Sequence, residues 1–99
     1  MRFEWDGRKN RANQRKHGVS FEDAARVFDD PLALSRIDPR HDDERWITLG
    51  SAGGRVLLVA HTYHDSESND DEEIIRIISA RQATAAERRA YQGEAGSRH

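Results

Sequence analysis

The chain has 99 residues, of which 35% are hydrophobic and 34% are charged, so it has room for one domain with a small core. No window approaches the roughly 18 to 20 apolar residues of a membrane span, and residues 1–16 lack the apolar run of a secretory signal. The absence of cysteine excludes disulfides, thiolate zinc sites, iron–sulfur clusters and cysteine nucleophiles. We therefore expect a soluble, cytoplasmic protein without a cofactor.

The formal net charge of −2 conceals a strong segregation of charge along the chain. Residues 1–28 contain seven basic and four acidic residues, and residues 74–99 contain five basic and two acidic ones. Residues 65–73 contain six acidic residues and no basic one. If the two basic ends meet in space, they form one cationic face; otherwise the charges only solvate the surface.

The N-terminal segment predicts a short strand followed by a basic helix. Phe3 and Trp5 alternate with polar residues, which is typical of an edge strand that stops at Asp6. Asp6 is a suitable N-cap for a helix from about Arg8 to Lys16, with Gly18 as the C-terminal stop. Because this helix has almost no apolar residue, its packing side must consist of amides and aliphatic stems.

The next segments predict a second helix, a group of strands and a final helix. Ser20 and Asp23 approximate a capping box for a helix that Pro31 ends. Strands are expected at 33–37, at 45–49 ending at Gly50, and at 56–63, with a turn at 51–54. An acidic hairpin loop is expected at 65–73. A further strand from Ile74 onward is expected to lie inside the sheet, covered on both sides. Thr84 and Glu87 form a capping box for a helix that passes Tyr91 and ends at Gly93. The order predicts an α+β fold: a small antiparallel sheet, two N-terminal helices and a C-terminal helix.

Metal and phosphate-loop sites are poorly supported by the sequence. His61 and His64 are three residues apart on a predicted strand and therefore point to opposite faces. Asp42, Asp43, Asp70 and Asp71 lack the glycine placement of a calcium loop, and Gly53–Gly54 joins two strands without a P-loop lysine. We expect no native metal site.

The remaining candidates are basic groups near the ends of predicted elements. Lys9, Asn13 and Lys16 share one helix face. Arg76 and Arg81 are an odd number of residues apart and face opposite sides of the strand unless a bulge intervenes near Ser79 and Ala80.

Each candidate also has a purely structural interpretation. Arg76 either binds phosphate or bridges to Glu44 or Asp38. His17 either caps a helix end or transfers protons. His61 and the two tryptophans are more typical of a core.

Several sequence blocks together resemble the BrnT family of bacterial toxins. They are FEWD (3–6), KHGVSFEDA (16–24), VFDDP (27–31), ERW (44–46) and RIISARQAT (76–84), followed by ER and Tyr91. The resemblance covers residues 3–91 and implies a RelE-like domain at 1–93 with a frayed tail at 94–99. It further implies an endoribonuclease that is neutralised by a BrnA-like ribbon-helix-helix antitoxin, with operator DNA bound only through the complex.

The resemblance also selects the matched polar positions of this chain. Those expected to act in catalysis are Lys16, His17, Arg76 and Arg81, and those expected to contact RNA are Lys9, Asn13, Glu44, Arg45 and Ser79. The acidic segment 65–73 and Gln82, where a basic residue is common, depart from the pattern. RNA supplies its own 2′-hydroxyl nucleophile, so a base, an acid and charge stabilisation suffice without metal.

Two non-catalytic interpretations stay open. In the first, the chain is a binding module that docks a partner or nucleic acid, and its arginines are paired with carboxylates so that no convergent cleft exists. In the second, it acts only as a co-repressor through the antitoxin complex.

Overall fold

The chain folds around one five-stranded sheet. The structure, a computed structural model, describes residues 1–40, 44–65 and 72–97, with side chains through residue 93. The acidic segment 66–71, the aspartates at 42 and 43, and the last two residues lie outside this part of the chain. The elements are β1 (Arg2–Glu4), α1 (Gly7–His17), α2 (Phe21–Ala25), a 3₁₀ turn (Arg26–Asp29), β2 (Leu34–Ile37), β3 (Trp46–Ala52), β4 (Arg55–Asp65), β5 (Glu73–Gln82) and α3 (Ala85–Ser97).

The strand order is β1-β5-β4-β3-β2. Strands β2 to β5 pair antiparallel with their neighbours, whereas β1 pairs parallel with β5. The predicted α+β architecture with two N-terminal helices and a C-terminal helix is confirmed. The sheet is mixed rather than antiparallel, because the alternation of side chains within a strand says nothing about the direction of its partner.

The predicted caps are present, but two element ends differ from the prediction. Asp6 accepts hydrogen bonds from the backbone N–H groups of Arg8 (2.8 Å) and Lys9 (3.2 Å), and Gly18 ends α1 with φ 69°. The second helix is regular only to Ala25 and continues as the 3₁₀ turn. The C-terminal helix continues past Gly93 to Ser97, since a glycine only weakens a helix interior and does not end it.

Strand β3 also continues past its predicted stop at Gly50, to Ala52. A Cβ atom at Gly50 would lie 2.7 Å from Cγ1 of Val27, so glycine here allows the 3₁₀ turn to approach the sheet closely. The chain reverses at Gly53 and Gly54, whose positive φ angles of 58° and 81° suit the turn between β3 and β4.

The two faces of the sheet are covered differently. The helix face packs against α1, α2 and the 3₁₀ turn and forms the main core, whose buried residues are Val19, Phe21, Ala24, Val27, Ala52, Leu57, Val59, Ile75, Ile77 and Ala80. The opposite face, here called the open face, is covered in part by α3. There Tyr91 packs with Leu49 and Ala83, against Leu32, Val56 and Leu58.

A β-bulge in β5 decides which residues reach the open face. His61 pairs with Ile77 and Ala60 pairs with Ser79, so Ile78 is an extra residue. The bulge reverses the alternation beyond it, and Arg76, Ser79 and Arg81 therefore all lie on the open face. The bulge that the sequence allowed near Ser79 is present, and it brings the two arginines onto one face.

Tyr91 fastens α3 to the sheet through Asp30 of the VFDDP block. Its hydroxyl donates to Oδ2 of Asp30 at 2.5 Å, and the same carboxylate accepts from the backbone N–H groups of Leu32 and Ser51. Burial of the phenol and the adjacent carboxylate raise the pKa of Tyr91 to about 12.

His61 is a core residue, as its strand position predicted. It is fully buried, its Nε2 lies 2.6 Å from the hydroxyl of Thr48, and its ring packs edge-on against Phe28 and Tyr63. Its Nδ1 has no hydrogen-bond partner in the described part of the chain. Burial lowers the pKa of His61 from 6.5 to about 4, so the imidazole is neutral at pH 7.

Replacing Gly50 with alanine tests the close approach of the 3₁₀ turn. We expect Gly50→Ala to lower the free energy of unfolding by about 1–3 kcal/mol, because the new methyl group overlaps Val27. Gly93→Ala is the matched control: nothing lies within 4 Å of the added methyl group, and the exposed helix should gain about 0.5–1 kcal/mol. Urea denaturation measures both, and equal stability of the two variants would contradict the proposed contact.

Acid should destabilise the protein through His61. Between pH 6.5 and 4 the unfolded chain binds a proton that the folded chain does not, so stability is complete above this window and falls as the pH falls. From pH 7.5 to 5 this loss is about 2 kcal/mol in the free energy of unfolding. His61→Gln should not show this loss of stability, whereas His64→Gln, which replaces an exposed histidine, should still show it. Urea denaturation at both pH values decides; an unaltered pH dependence in His61→Gln would contradict the assignment.

Candidate active site

Asn13 attaches α1 to the free edge of β5. Strand β1 pairs only with Ile74 to Arg76, and no strand in the described part of the chain pairs with the rest of this edge. The Asn13 side-chain amide donates to the carbonyl of Ala80 (2.7 Å) and to that of Val19 (2.8 Å), and its oxygen accepts from the N–H of Ala80 (3.2 Å). Asn13 is buried and bonds to both backbone groups of Ala80, so it positions α1 on the sheet edge. Its contact with RNA stays a prediction.

This attachment places the C-terminal end of α1 beside the second half of β5. A cavity of about 220 Å³ lies there, and its wall includes His17, Ser79 and Arg81. The remaining lining residues are Arg40, Ile47, Leu58, Ala60 and Ala80. Three of the residues selected from the sequence are thus brought together, although His17 is more than 60 positions from Ser79 and Arg81 in the chain.

His17 is the last residue of α1 and is half-buried at the rim of this cavity. The left-handed Gly18 follows it, with its N–H bonded to the carbonyl of Gln14. His17 therefore places an imidazole, the side chain that most often transfers protons in catalysis, at the wall of a small cavity.

Arg81 is held in place by Glu87 of α3. Its two terminal nitrogens lie 2.7 and 3.0 Å from the two carboxylate oxygens, and the same carboxylate accepts from the N–H of Thr84. The hydrogen bond with Arg81 lowers the pKa of Glu87 to about 2. A bidentate pair of this kind fixes the plane of the guanidinium group. The Nε–H of Arg81 has no hydrogen-bond partner within the described residues.

Arg40 is a site residue that the sequence analysis missed. Its Nε lies 3.3 Å from the carboxylate of Asp38, which is buried, while its terminal nitrogens contact no described acidic group. In the sequence, Arg40 is only a basic residue within an acidic segment. Its place at the cavity depends on the path of the chain between β2 and β3, for which the sequence carries no signal.

Arg76 lies on the same face but does not line the cavity. It is 3.3 Å from Glu4, its neighbour across the parallel β1–β5 pair, and the same carboxylate oxygen contacts His64 at 2.9 Å. The predicted bridge from Arg76 to Glu44 or Asp38 is therefore wrong, because the parallel strand that supplies the real partner could not be foreseen from side-chain alternation.

The other selected residues lie apart from the cavity. Glu44 lines a separate cavity with Trp46 and Tyr63, whose side chains are on the helix face. Arg45 is half-buried directly before β3, where its carbonyl accepts from the N–H of Asp38 at 2.7 Å. Lys9 and Lys16 are exposed on α1.

Helix α1 forms a basic surface that leads to the cavity. It contains no acidic residue, and none of its cations forms an ion pair within the described residues. Its exposed basic residues are Arg8, Lys9, Arg11, Arg15 and Lys16. The basic N-terminal segment and Arg81 of the basic C-terminal segment thus meet at one place, although Arg76 and Arg81 of the sheet each have an acidic neighbour.

No helix within the described ranges is long and apolar enough to cross a membrane. Within the same ranges, no group of three or more histidine, aspartate or glutamate side chains is arranged to hold a metal ion.

Removing the Asn13 amide should loosen α1 and with it the site. We expect Asn13→Ala to lower the free energy of unfolding by about 1–3 kcal/mol, because it leaves the N–H and C=O of Ala80 without partners. Arg15→Ala, at an exposed position of the same helix, should change stability by no more than about 0.5 kcal/mol. If urea unfolds the two variants at the same concentration, the bonds to the sheet edge do not support α1.

Comparison with known proteins identifies a family for this chain. A family model described as "Ribonuclease toxin, BrnT, of type II toxin-antitoxin system" matches residues 5–87. No curated protein gives a significant match. The matched range includes both helices that frame the sheet edge, all of β2 to β5 and the carboxylate that holds Arg81. The chain belongs to the BrnT family of ribonuclease toxins of type II toxin–antitoxin systems.

Proposed function

We propose that this chain is a metal-independent endoribonuclease toxin that cleaves RNA by attack of the 2′-hydroxyl on the adjacent phosphorus. The observation that carries the proposal is the convergence of His17, Arg40 and Arg81 on one small cavity of the open face. An imidazole and two guanidinium groups supply proton transfer and charge stabilisation, which are what this reaction requires.

In the proposed reaction, His17 in its neutral form accepts the proton of the 2′-hydroxyl. The 2′-oxygen bonds to phosphorus, the bond from phosphorus to the 5′-oxygen breaks, and the departing oxygen takes a proton from solvent water. The products are a 2′,3′-cyclic phosphate and a free 5′-hydroxyl. Lys16, exposed and adjacent to His17, is the alternative proton-transfer group.

The charge that develops on the phosphorane is stabilised by Arg81, which Glu87 holds in a fixed orientation. Arg40 also lines the cavity, with terminal nitrogens that contact no described acidic group, and Ser79 adds a hydroxyl. Arg76 lies nearer the start of β5 on the same face, where it contacts the next part of the RNA strand. Lys9, Lys16 and Arg45 contact neighbouring phosphates.

Membership of a family of type II toxins implies that the chain has an antitoxin partner. We propose that this partner is a BrnA-like ribbon-helix-helix protein that neutralises the cleavage activity. Operator DNA is bound only through the complex, since the basic surface of the toxin is committed to RNA.

A non-catalytic binding module is the second candidate. The observation in its favour is that Arg76 and Arg81 both have carboxylate partners, at 3.3 and 2.7 Å. In this alternative the arginines only hold β1 and α3 to the sheet, and the chain acts as a co-repressor with its antitoxin.

Cleavage of end-labelled RNA by the purified protein in EDTA separates the two candidates. We expect 2′,3′-cyclic phosphate ends, and a loss of at least about tenfold in rate in His17→Gln, Arg76→Gln and Arg81→Gln. Arg26→Gln is the matched control, because this exposed arginine contacts a different cavity, with Asp29 and Gly53. Intact RNA with a correctly folded protein, or cleavage that requires added magnesium, would contradict the proposal.

A further inference from the structure

An aliphatic groove adjoins the cavity on the open face. It lies between α3 and the strands β2 and β3 and has a volume of about 300 Å³. Its lining residues are Leu34, Ser35, Arg36, Ile47, Leu49, Leu58, Glu87 and Ala90. Helix α3 keeps this groove open because Tyr91, one turn from Glu87, is fastened to Asp30 and holds the helix above the sheet.

The chemistry of the groove favours a protein segment over RNA. Single-stranded RNA binds on aromatic rings that stack with bases and on cations that contact phosphates. The walls here are aliphatic, and the lining contains no aromatic ring. Such a surface matches the apolar side of an amphipathic segment, whose side chains enter a groove at regular spacing.

The groove is continuous with the cavity. Ile47 and Leu58 line both, and Glu87 in the groove is the residue that holds Arg81 in the cavity. A segment seated in the groove therefore ends within reach of the groups that we propose act on RNA.

The charges around the groove specify an acidic occupant. Arg36 is exposed in β2, and Arg40 lines the adjoining cavity. Within the described residues, Arg36 pairs with no carboxylate and the terminal nitrogens of Arg40 contact none. One residue at the rim, Glu87, is acidic, but its ion pair with Arg81 neutralises its charge. An occupant that carries apolar residues on one side and carboxylates toward Arg36 and Arg40 is complementary to this surface.

We infer that this groove docks an acidic, amphipathic segment of the protein antitoxin and that a carboxylate of the segment occupies the cavity in place of a phosphate. The inference rests on the proposed function, because it assumes that the cavity acts on RNA. It adds where the partner binds and why binding neutralises the toxin: the two ligands compete for the same cations.

The test uses Ala90→Glu, which introduces a bulky acid on an exposed helix position that lines the groove. Ala86→Glu is the matched control, with the same change at an exposed position of α3 outside the groove. The probe is a BrnA-like ribbon-helix-helix protein, the antitoxin proposed above, titrated by calorimetry. We expect Ala90→Glu to weaken antitoxin binding at least tenfold and Ala86→Glu less than twofold, with RNA cleavage by both within twofold of the unaltered chain.

A second measurement tests the competition. An RNA with a 2′-deoxy sugar at the cleavage position should be displaced from the unaltered toxin by the antitoxin; a ternary complex would overturn the inference. Equal antitoxin affinity of the two variants would overturn it too, while cleavage and inhibition of the unaltered chain would leave the proposed function standing. If Ala90→Glu instead abolishes self-association of the free toxin, the groove binds a second copy and the inference is wrong. Absence of both cleavage and antitoxin binding would refute the proposed function itself.

Discussion

The unpaired edge of β5 is the constraint on which the arrangement of this domain depends. Backbone groups at a strand edge must be satisfied by water, by another strand or by side chains. Here β1 covers only the first part of the edge, and Asn13 satisfies both backbone groups of Ala80 farther along. The helix that carries Asn13 has almost no apolar residue, so these bonds, with those of Asn10 to Glu22 and Phe21, replace an apolar interface. The same attachment sets His17 beside the open face.

The bulge at Ile78 is the second determinant of the site. Without it, Arg81 would point into the helix face, where an arginine with no partner is costly to bury. With it, Arg76 and Arg81 share the open face, and each finds a carboxylate on a neighbouring element. These ion pairs hold the two arginines in fixed positions, and the cations of α1 supply the unpaired positive charge that binding of nucleic acid requires.

Helix α3 links stability and recognition. Its first turn carries Glu87, which completes the capping box with Thr84 and holds Arg81, and its second turn carries Tyr91, which binds Asp30. One helix therefore fixes a wall of the cavity and creates the adjoining groove.

The sequence by itself determined the elements, most of their caps and the family, since periodicity, capping residues and motif blocks are local properties. It also located His17, Ser79 and Arg81, because their motifs are distinctive. Only the tertiary structure decided that Arg40 joins them and that Glu44 does not. Strand direction, the register at Ile78 and the path between β2 and β3 arise from contacts between distant segments, and side-chain patterns within one segment carry no information about these contacts.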